Sequence, residues 1–530
     1  MKNFILLMVV IMSSVLHAQP TYMKLFRGTG AVKANLNEMS SGNLKTGMAR
    51  GRGTSLVDPD GNILQTQVYK EDTFRAIHSI RRYSDNVFYF VSGYRKDTCG
   101  STGIPDLYPV VGKMDSVGNI IAAWHYVLSS SSCWNMAGDL NVLSNGIAAW
   151  GIEPNYFFLL RADLAGQPLW AKRFAQTGSF QFIKELPNGD LLAGINMDTA
   201  GAVVARLDAA GNFLWCKSYM RPLGRVHDAI VEPDGSFLIT GYTEFATTDI
   251  FTPYPPAFNP KLFALKLNGD GEVQWCRGYS TAPYHWYTPN SSHVVRAQDG
   301  NYVLLANIGV PTQNFHYRPL LMKLNPNGDT LWTRSSGHVN YSYETRDLLA
   351  YSDGGYIFNG RIWGTMPDGT QNNWAYLYKT DSLGHLPCFE VHYPLVINEL
   401  FPVDSSFTLT SYDGATRYPA FITDTIYDPI VVYDACTFTT NIPPQDPRTR
   451  RAPSIRPNPN TGRFTVVFPD PLTAESYYSV YDTMGKLLYQ RPLPAGQETE
   501  EVDLSRFGPG TYVITFTSPD GVCHERVVVE

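Results

Sequence analysis

The sequence predicts an all-β chain, and three observations lead there. Of its 530 residues 13% are aromatic and only 17% charged, and Gly (44) and Pro (36) are abundant, which suits many short strands joined by tight turns. A pattern of four short strands recurs along most of the chain. Behind the last copy lies a Pro-rich stretch and then a separate set of alternating strands. Together these predict a seven- or eight-bladed β-propeller with four-stranded blades, followed by a small immunoglobulin-like β-sandwich.

The repeat is clearest from Val226 to Tyr279. Its strands are VHDAIV (226–231), SFLITGY (236–242), KLFALKL (261–267) and EVQWCRGY (272–279), all rich in β-branched and aromatic residues. The turns EPDG and NGDG join the first pair and the last pair, and Gly takes the positive φ that such reversals need. The third-to-fourth turn recurs as VDPDGNIL (57–64), MDSVGNII (114–121), ADLAGQPLW (162–170), LDAAGNFLW (207–215), LNPNGDTLW (324–332) and TDSLGHLPC (380–388). First-to-second turns interleave with these throughout, for example SDNVFYFVSG (84–93), PNGDLLAG (187–194) and SDGGYIFNG (352–360). The turn glycines from Gly61 to Gly384 recur about every 54 residues. A degenerate eighth unit is expected over 397–436, and Tyr22–Arg27 (YMKLFR) is expected to complete the last blade and close the ring.

Met1 to Ala18 has Lys2, an apolar run from Phe4 to Leu16 and a small residue at the expected cut between Ala18 and Gln19, the pattern of a signal peptide. The run is shorter than the roughly 20 apolar residues that a spanning helix needs. Exported chains can form disulfides, and Cys99 with Cys133 and Cys388 with Cys436 are plausible pairs; Cys216 and Cys276, at one repeat position, read as small buried residues. The expected domains are a signal peptide (1–18), a propeller (19–440), a linker rich in Pro and charge (441–453) and a C-terminal domain (454–530). The net charge of −6 and the lack of an extended basic cluster argue against nucleic acid as a partner, and a monomer is expected.

Trp170, Trp215, Trp275 and Trp332 recur at one place in the repeat and read as packing between blades. Their context, L-D-x-x-G-x-x-L-W, resembles the tryptophan-docking repeats of quinoprotein-dehydrogenase-like propellers. Those enzymes carry adjacent cysteines near the quinone, and this sequence has none, so quinone chemistry is not implied and no cofactor is expected.

The last 75 to 80 residues carry RPNPNTG (456–462), YDTMGK (481–486), DLSRFGPGTY (503–512) and RVVV (526–529) in order. This series resembles the type A C-terminal sorting domain of the type IX secretion system of Bacteroidetes. The family's features fall on Pro457, Asn458, Pro459, Gly462, Asp482, Gly485, Lys486, Leu504, Gly510, Tyr512, Arg526, Val527, Val528 and Val529. Arg526 stands where Lys is usual, and Glu530 extends past the common end. The resemblance implies the type IX machinery as partner and passage through the outer membrane, then release or attachment to surface lipopolysaccharide.

Chemistry is harder to find. The sequence has no H-E-x-x-H, C-x-x-C, G-x-S-x-G or phosphate-binding glycine loop, and DPDGN (58–62) and NGDGE (268–272) read as plain turns rather than calcium loops. No catalytic residue and no metal ligand is assigned. In an up-and-down blade the short Gly turns share one face, and the long second-to-third loops and blade connections share the other. That long-loop face is expected to hold Tyr254, Tyr284, Trp286, Tyr287, Phe315, Tyr317, Trp363 and Trp374, aromatics suited to stacking on a glycan or anchoring a protein. The reading is an exported binding or adhesion propeller. A carbohydrate-active or degenerate quinoprotein enzyme, its carboxylates converging in the central pit, and a structural surface-layer component are the alternatives.

Overall fold

A computed structural model describes residues 19–27, 35–48, 53–69, 77–99, 104–128, 136–153, 156–198, 200–220, 223–243, 261–281, 286–310, 316–338, 341–365, 371–391, 395–420, 424–426, 432–436, 453–472, 476–482, 487–518 and 521–530. Residues 1–18, the expected signal peptide, and 441–452 of the expected linker lie outside them. The chain divides into two compact units, Met1–Phe438 and Thr439–Glu530.

The first unit holds seven five-stranded antiparallel sheets among the described residues. In each, four strands follow one another as the repeat predicts. In blade V they are Leu223–Val231, Phe237–Thr243, Leu262–Leu267 and Val273–Thr281. The short turns hold as expected: Glu232 N–H donates to Ser236 O at 2.8 Å and Asn268 N–H to Glu272 O at 3.0 Å, around Gly235 and Gly271 at φ +80° and +74°. The Asn268 carboxamide oxygen accepts from the backbone of Asp270 and Glu272. The Asp58 carboxylate does the same for Asp60 and Asn62, so the calcium-like motifs spend these oxygens on their own turns.

The ring closes as expected. Tyr22–Phe26 pairs along Ala375–Lys379 as the fourth strand of blade VII, whose other strands are Tyr341–Ala350, Tyr356–Thr365 and Gln371–Lys379. One apolar cluster then joins Tyr22, Phe26 and Ile357 of blade VII to Leu44 and Val57 of blade I. Gln19, the expected first residue after signal cleavage, accepts from Ser382 N–H at 2.6 Å and donates to Asp353 O.

The eighth unit is a correction. Residues 390–434 form a belt, not a blade. Glu390–Val391, Leu395–Glu399, Val403–Ser406, Ser411–Asp413, Thr416–Pro419, Asp424–Ile426 and Val432–Asp434 each add a fifth, outermost strand to one blade, in the order VI, V, IV, III, II, I, VII. The belt therefore runs backward around the whole circumference. Its strands recur about every 7 residues, an extended reach of roughly 23 Å, enough to step from one blade edge to the next. A blade needs four strands buried on both faces, and this segment has no Asp-x-x-Gly turn and a strand, Val403–Ser406, that is exposed throughout. Backbone hydrogen bonding to the outer edge of each blade is what it supplies, and it covers edges that would otherwise template aggregation. Cys388, just before the first belt strand, is disulfide-bonded to Cys436, just after the last. The belt is thus a covalent hoop, and that expected pair is borne out. Cys216 and Cys276 are free, and Cys133 lies outside the described residues.

The recurring Trp sit at equivalent positions in the outer strands of blades III to VI, half-buried rather than buried. Each ring lies over the turn glycine of the next blade. A Cβ on Gly211, Gly271, Gly328 or Gly384 would come within 2.6 to 3.0 Å of Trp170, Trp215, Trp275 or Trp332. Trp170 and Trp215 also donate Nε1–H to Ala209 O at 2.9 Å and Gly269 O at 3.1 Å. Blade II does the same with Trp124 over Gly166. A tyrosine at the end of the same strand reinforces the dock: Tyr69, Tyr126, Tyr219 and Tyr279 donate to the carbonyls of Gly118, Gly166, Gly271 and Gly328 at 2.5 to 2.7 Å.

The second unit contains a three-stranded sheet (Ser454–Arg456, Arg463–Val467, Thr499–Asp503) and a four-stranded one (Leu487–Leu493, Ser476–Asp482, Gly510–Ser518, Gly521–Val529). Phe464, Val466, Val502 and Leu504 of the first pack against Tyr478, Ile514, Phe516 and Val527 of the second, the core of the expected β-sandwich.

Candidate functional site

The innermost strands of all seven blades surround an axial cavity of about 570 Å³. An extra residue bulges from four of them at one level: Gly138 in blade III, Gln181 in IV, His227 in V and Arg346 in VII; blade VI is irregular between Thr288 and Ser292. A bulge breaks the period of two and re-aims side chains, here toward the axis. Asp139, Asp228 and Asp347 each follow the bulged residue, and all three line the cavity.

These carboxylates tie blade to blade. Asp228 faces Lys184 Nζ of blade IV at 2.8 Å and accepts from Ala229 N–H at 2.9 Å and from Val294 N–H of blade VI at 3.2 Å. Asp139 accepts from Leu140 N–H at 2.7 Å and lies 3.6 Å from Arg81 of blade II. Asp347 accepts from Leu36 N–H of blade I at 2.7 Å. Their acidities diverge accordingly. Burial holds the Asp347 carboxyl above its ordinary range, whereas at Asp228 the Lys184 ammonium and His293 outweigh burial and hold it below. Burial, with His293 and Arg225 nearby, pushes the His227 imidazole down to about 3, so it is neutral; its Nδ1 lies 3.2 Å from Ser292 Oγ. The His293 Nε2 is shielded and makes no hydrogen bond among the described residues.

The long-loop aromatics do not form the single group expected. Trp374 is a correction: it lies in the third strand of blade VII, 1% exposed, stacked on Tyr433 of the belt at 5.0 Å. The strands of blades VI and VII run further than the sequence predicted, which takes Trp286 and Tyr287 into the strand Trp286–Arg296, opposite Gly309 and Ile308. Tyr254, Tyr284 and Phe315 lie outside the described residues. Tyr317 and Trp363 do meet, half-buried, at the ends of blades VI and VII from which the second-to-third loops leave. Their rings pack edge to face at 6.4 Å, and the Arg361 guanidinium lies 5.3 Å over the indole. Arg361 is in turn paired with Glu344, which also holds Arg346.

In the sandwich, the first and last blocks of the sorting series are clasped together. Asn458 donates Nδ2–H to Arg526 O at 2.7 Å and accepts from Val528 N–H at 2.8 Å. Asn460 donates its backbone N–H to Val528 O at 2.9 Å and accepts from Glu530 N–H at 2.8 Å. Gly462 has φ +95°, and a Cβ there would meet Ser505 Cα at 2.7 Å. Leu504 is fully buried. The Tyr512 hydroxyl donates to the carbonyls of Phe507 and Gly508 at 2.9 and 2.8 Å, fixing the turn before Gly510. Val527 and Val529 face the core, whereas Arg526 is exposed. Asp482 ends its strand opposite Tyr512; Gly485 and Lys486 lie outside the described residues.

Sequence reasoning anticipated a central pit but none of the residues that line it. Its only signal is a break in alternation, visible as the pairs GD, HD and RD seven or eight residues before a turn. It also missed a repeated ion pair. The basic residue of the third strand reaches the acid of its own blade's first turn in Arg206–Asp190 (2.7 Å), Lys266–Glu232 (3.4 Å), Lys323–Asp299 (2.7 Å) and Lys379–Asp353 (2.7 Å).

Residues 454–530 match the family described as the secretion system C-terminal sorting domain. No curated protein matches the chain. Among solved structures, virginiamycin B lyase from Staphylococcus aureus is similar at 12% identity and a TM-score of 0.39, over 68% of this chain and 99% of that one. PorZ of Porphyromonas gingivalis, a surface component of the type IX secretion system, is similar at 11% identity and a TM-score of 0.29, over 93% of this chain and 75% of that one. A protein of unknown function from Bacteroides caccae is similar at 12% identity and a TM-score of 0.32, over 70% and 94%. Scores this low transfer neither activity nor ligand. The sorting domain marks the chain for type IX secretion, and among the described residues no helix is long and apolar enough to cross a membrane.

Proposed function

We propose that the propeller is the cargo and the sandwich its address, and that outside the cell the propeller acts as a binding or adhesion module toward a glycan or protein. The observation that carries this reading is the Tyr317–Trp363–Arg361 cluster, half-exposed aromatic surface with a guanidinium over it, at the ends of the scaffold from which the long loops leave. Aromatic and Arg side chains on a rigid frame are the usual anchors of recognition. The enzyme alternative draws less support. The three axial carboxylates are engaged by backbone N–H groups, and two of them also face cations, contacts that tie blade to blade. After export the sandwich is removed near the linker, and the propeller is released or attached to surface lipopolysaccharide.

The test pairs two variants. Tyr317→Ala with Trp363→Ala in the secreted protein is expected to weaken binding to arrayed glycans and surface proteins at least tenfold with an unchanged thermal melt, and unchanged binding would refute the loop-face reading. Deleting 454–530 is expected to leave a folded propeller in the periplasm. Efficient secretion of the truncated chain would refute the address.

A further inference from the structure

The axial cavity invites comparison of the blades with one another. Positions that only build the scaffold repeat: the turn glycine, the Trp over it and the third-strand base recur from blade to blade. At the bulge level the repeat breaks down, and Gly138, Gln181, His227, Ser292 and Arg346 stand at corresponding places. A wall that merely filled the axis would be served by the same residue in every blade, as the turns are. Chemical divergence on a repeated backbone is what an asymmetric ligand requires.

We infer that this cavity is a ligand site for a small, neutral, polyhydroxylated molecule, a mono- or disaccharide. Its volume of about 570 Å³ is in the range of small-molecule sites. Asp139, Asp228 and Asp347 are matched in number by Arg81, Lys184 and Arg346, so the lining carries no net charge to attract a phosphate. The described residues contain no His, Cys, Asp and Glu grouping able to hold a metal ion. The lining does combine fixed acceptors, fixed donors, Gln181 and the imidazole-bearing His78, His227 and His293. A neutral imidazole donates at one nitrogen and accepts at the other, as a hydroxyl group also does both. His227 is such a ring, and the His293 Nε2 makes no hydrogen bond among the described residues.

This site is separate from the loop-face cluster, and one experiment distinguishes them. Titration calorimetry on the secreted protein would use glucose, galactose, N-acetylglucosamine, maltose and lactose as probes, with inorganic phosphate and calcium as controls. At least one sugar is expected to bind in the millimolar range or tighter. His293→Ala and Gln181→Ala, each checked by thermal melt, are expected to weaken it about tenfold, and Trp363→Ala to leave it unchanged. If His293→Ala fails to fold, Gln181→Ala alone decides. Binding by none of the sugars, binding by phosphate or calcium instead, or sugar binding that is lost with Trp363→Ala and kept in the cavity variants would each overturn the assignment.

Discussion

Breaking the hoop should destabilise the propeller by an amount set by loop length. Cys388 and Cys436 are 48 residues apart, and between them the chain passes every blade. In the chain-entropy account, cross-linking a loop of that size removes about 13 to 14 cal/mol/K from the unfolded ensemble, about 4 kcal/mol at 25 °C. The belt keeps its backbone pairing in the native state when the bridge is cut, so the loss is assigned to the unfolded chain. Cys388→Ser, Cys436→Ser and the double variant should therefore be equally destabilised, because any one of them opens the same loop. Guanidinium unfolding of oxidised parent and the three variants, with reduced parent as a fifth sample, measures it. Variants within about 1 kcal/mol of oxidised parent would refute the argument. A double variant much worse than either single one would show that the cysteines matter for packing rather than for the hoop.

Two further outcomes follow from the scaffold. Lys45 is fully buried, and its Nζ makes no hydrogen bond among the described residues; burial pushes its pKa down to about 7. Between about 7 and its ordinary value the unfolded state binds the extra proton, so this contribution makes stability rise with pH. Lys45→Met should be more stable than parent by a few kcal/mol (order of magnitude) at pH 6, with a gap that closes toward pH 10 in denaturant titrations; a pH-independent gap would refute it. Gly271→Ala forces a side chain into φ +74° and puts a Cβ 2.9 Å from the Trp215 ring. A loss of about 2 kcal/mol is expected by the same titration, and Gly235→Ala, at φ +80° with open space around it, should cost less, from strain alone.

The four-stranded unit, the turns, the ring closure by Tyr22–Phe26 and the sorting blocks were legible in the sequence because each is a local pattern: alternation, a Gly at positive φ, a Trp at a fixed offset. What tertiary structure alone decided is nonlocal. The belt has short strands and no Asp-x-x-Gly turns, so its residues resemble a failed blade until they are seen on the edges of seven others. The clasp of Asn458 and Asn460 on Arg526 and Val528 joins segments about 70 residues apart in sequence. The axial cavity gathers residues from all seven repeats, in four of them through bulges that shift the strand period by one. Trp374 reads as a loop residue because the sequence shows where a strand's turn chemistry ends, but not how far hydrogen bonding to its neighbours extends it. Local propensity fixes the unit. Closure of the ring decides which side chains meet at its centre, and only there do residues as distant as Leu36 and Asp347 come within one hydrogen bond of each other.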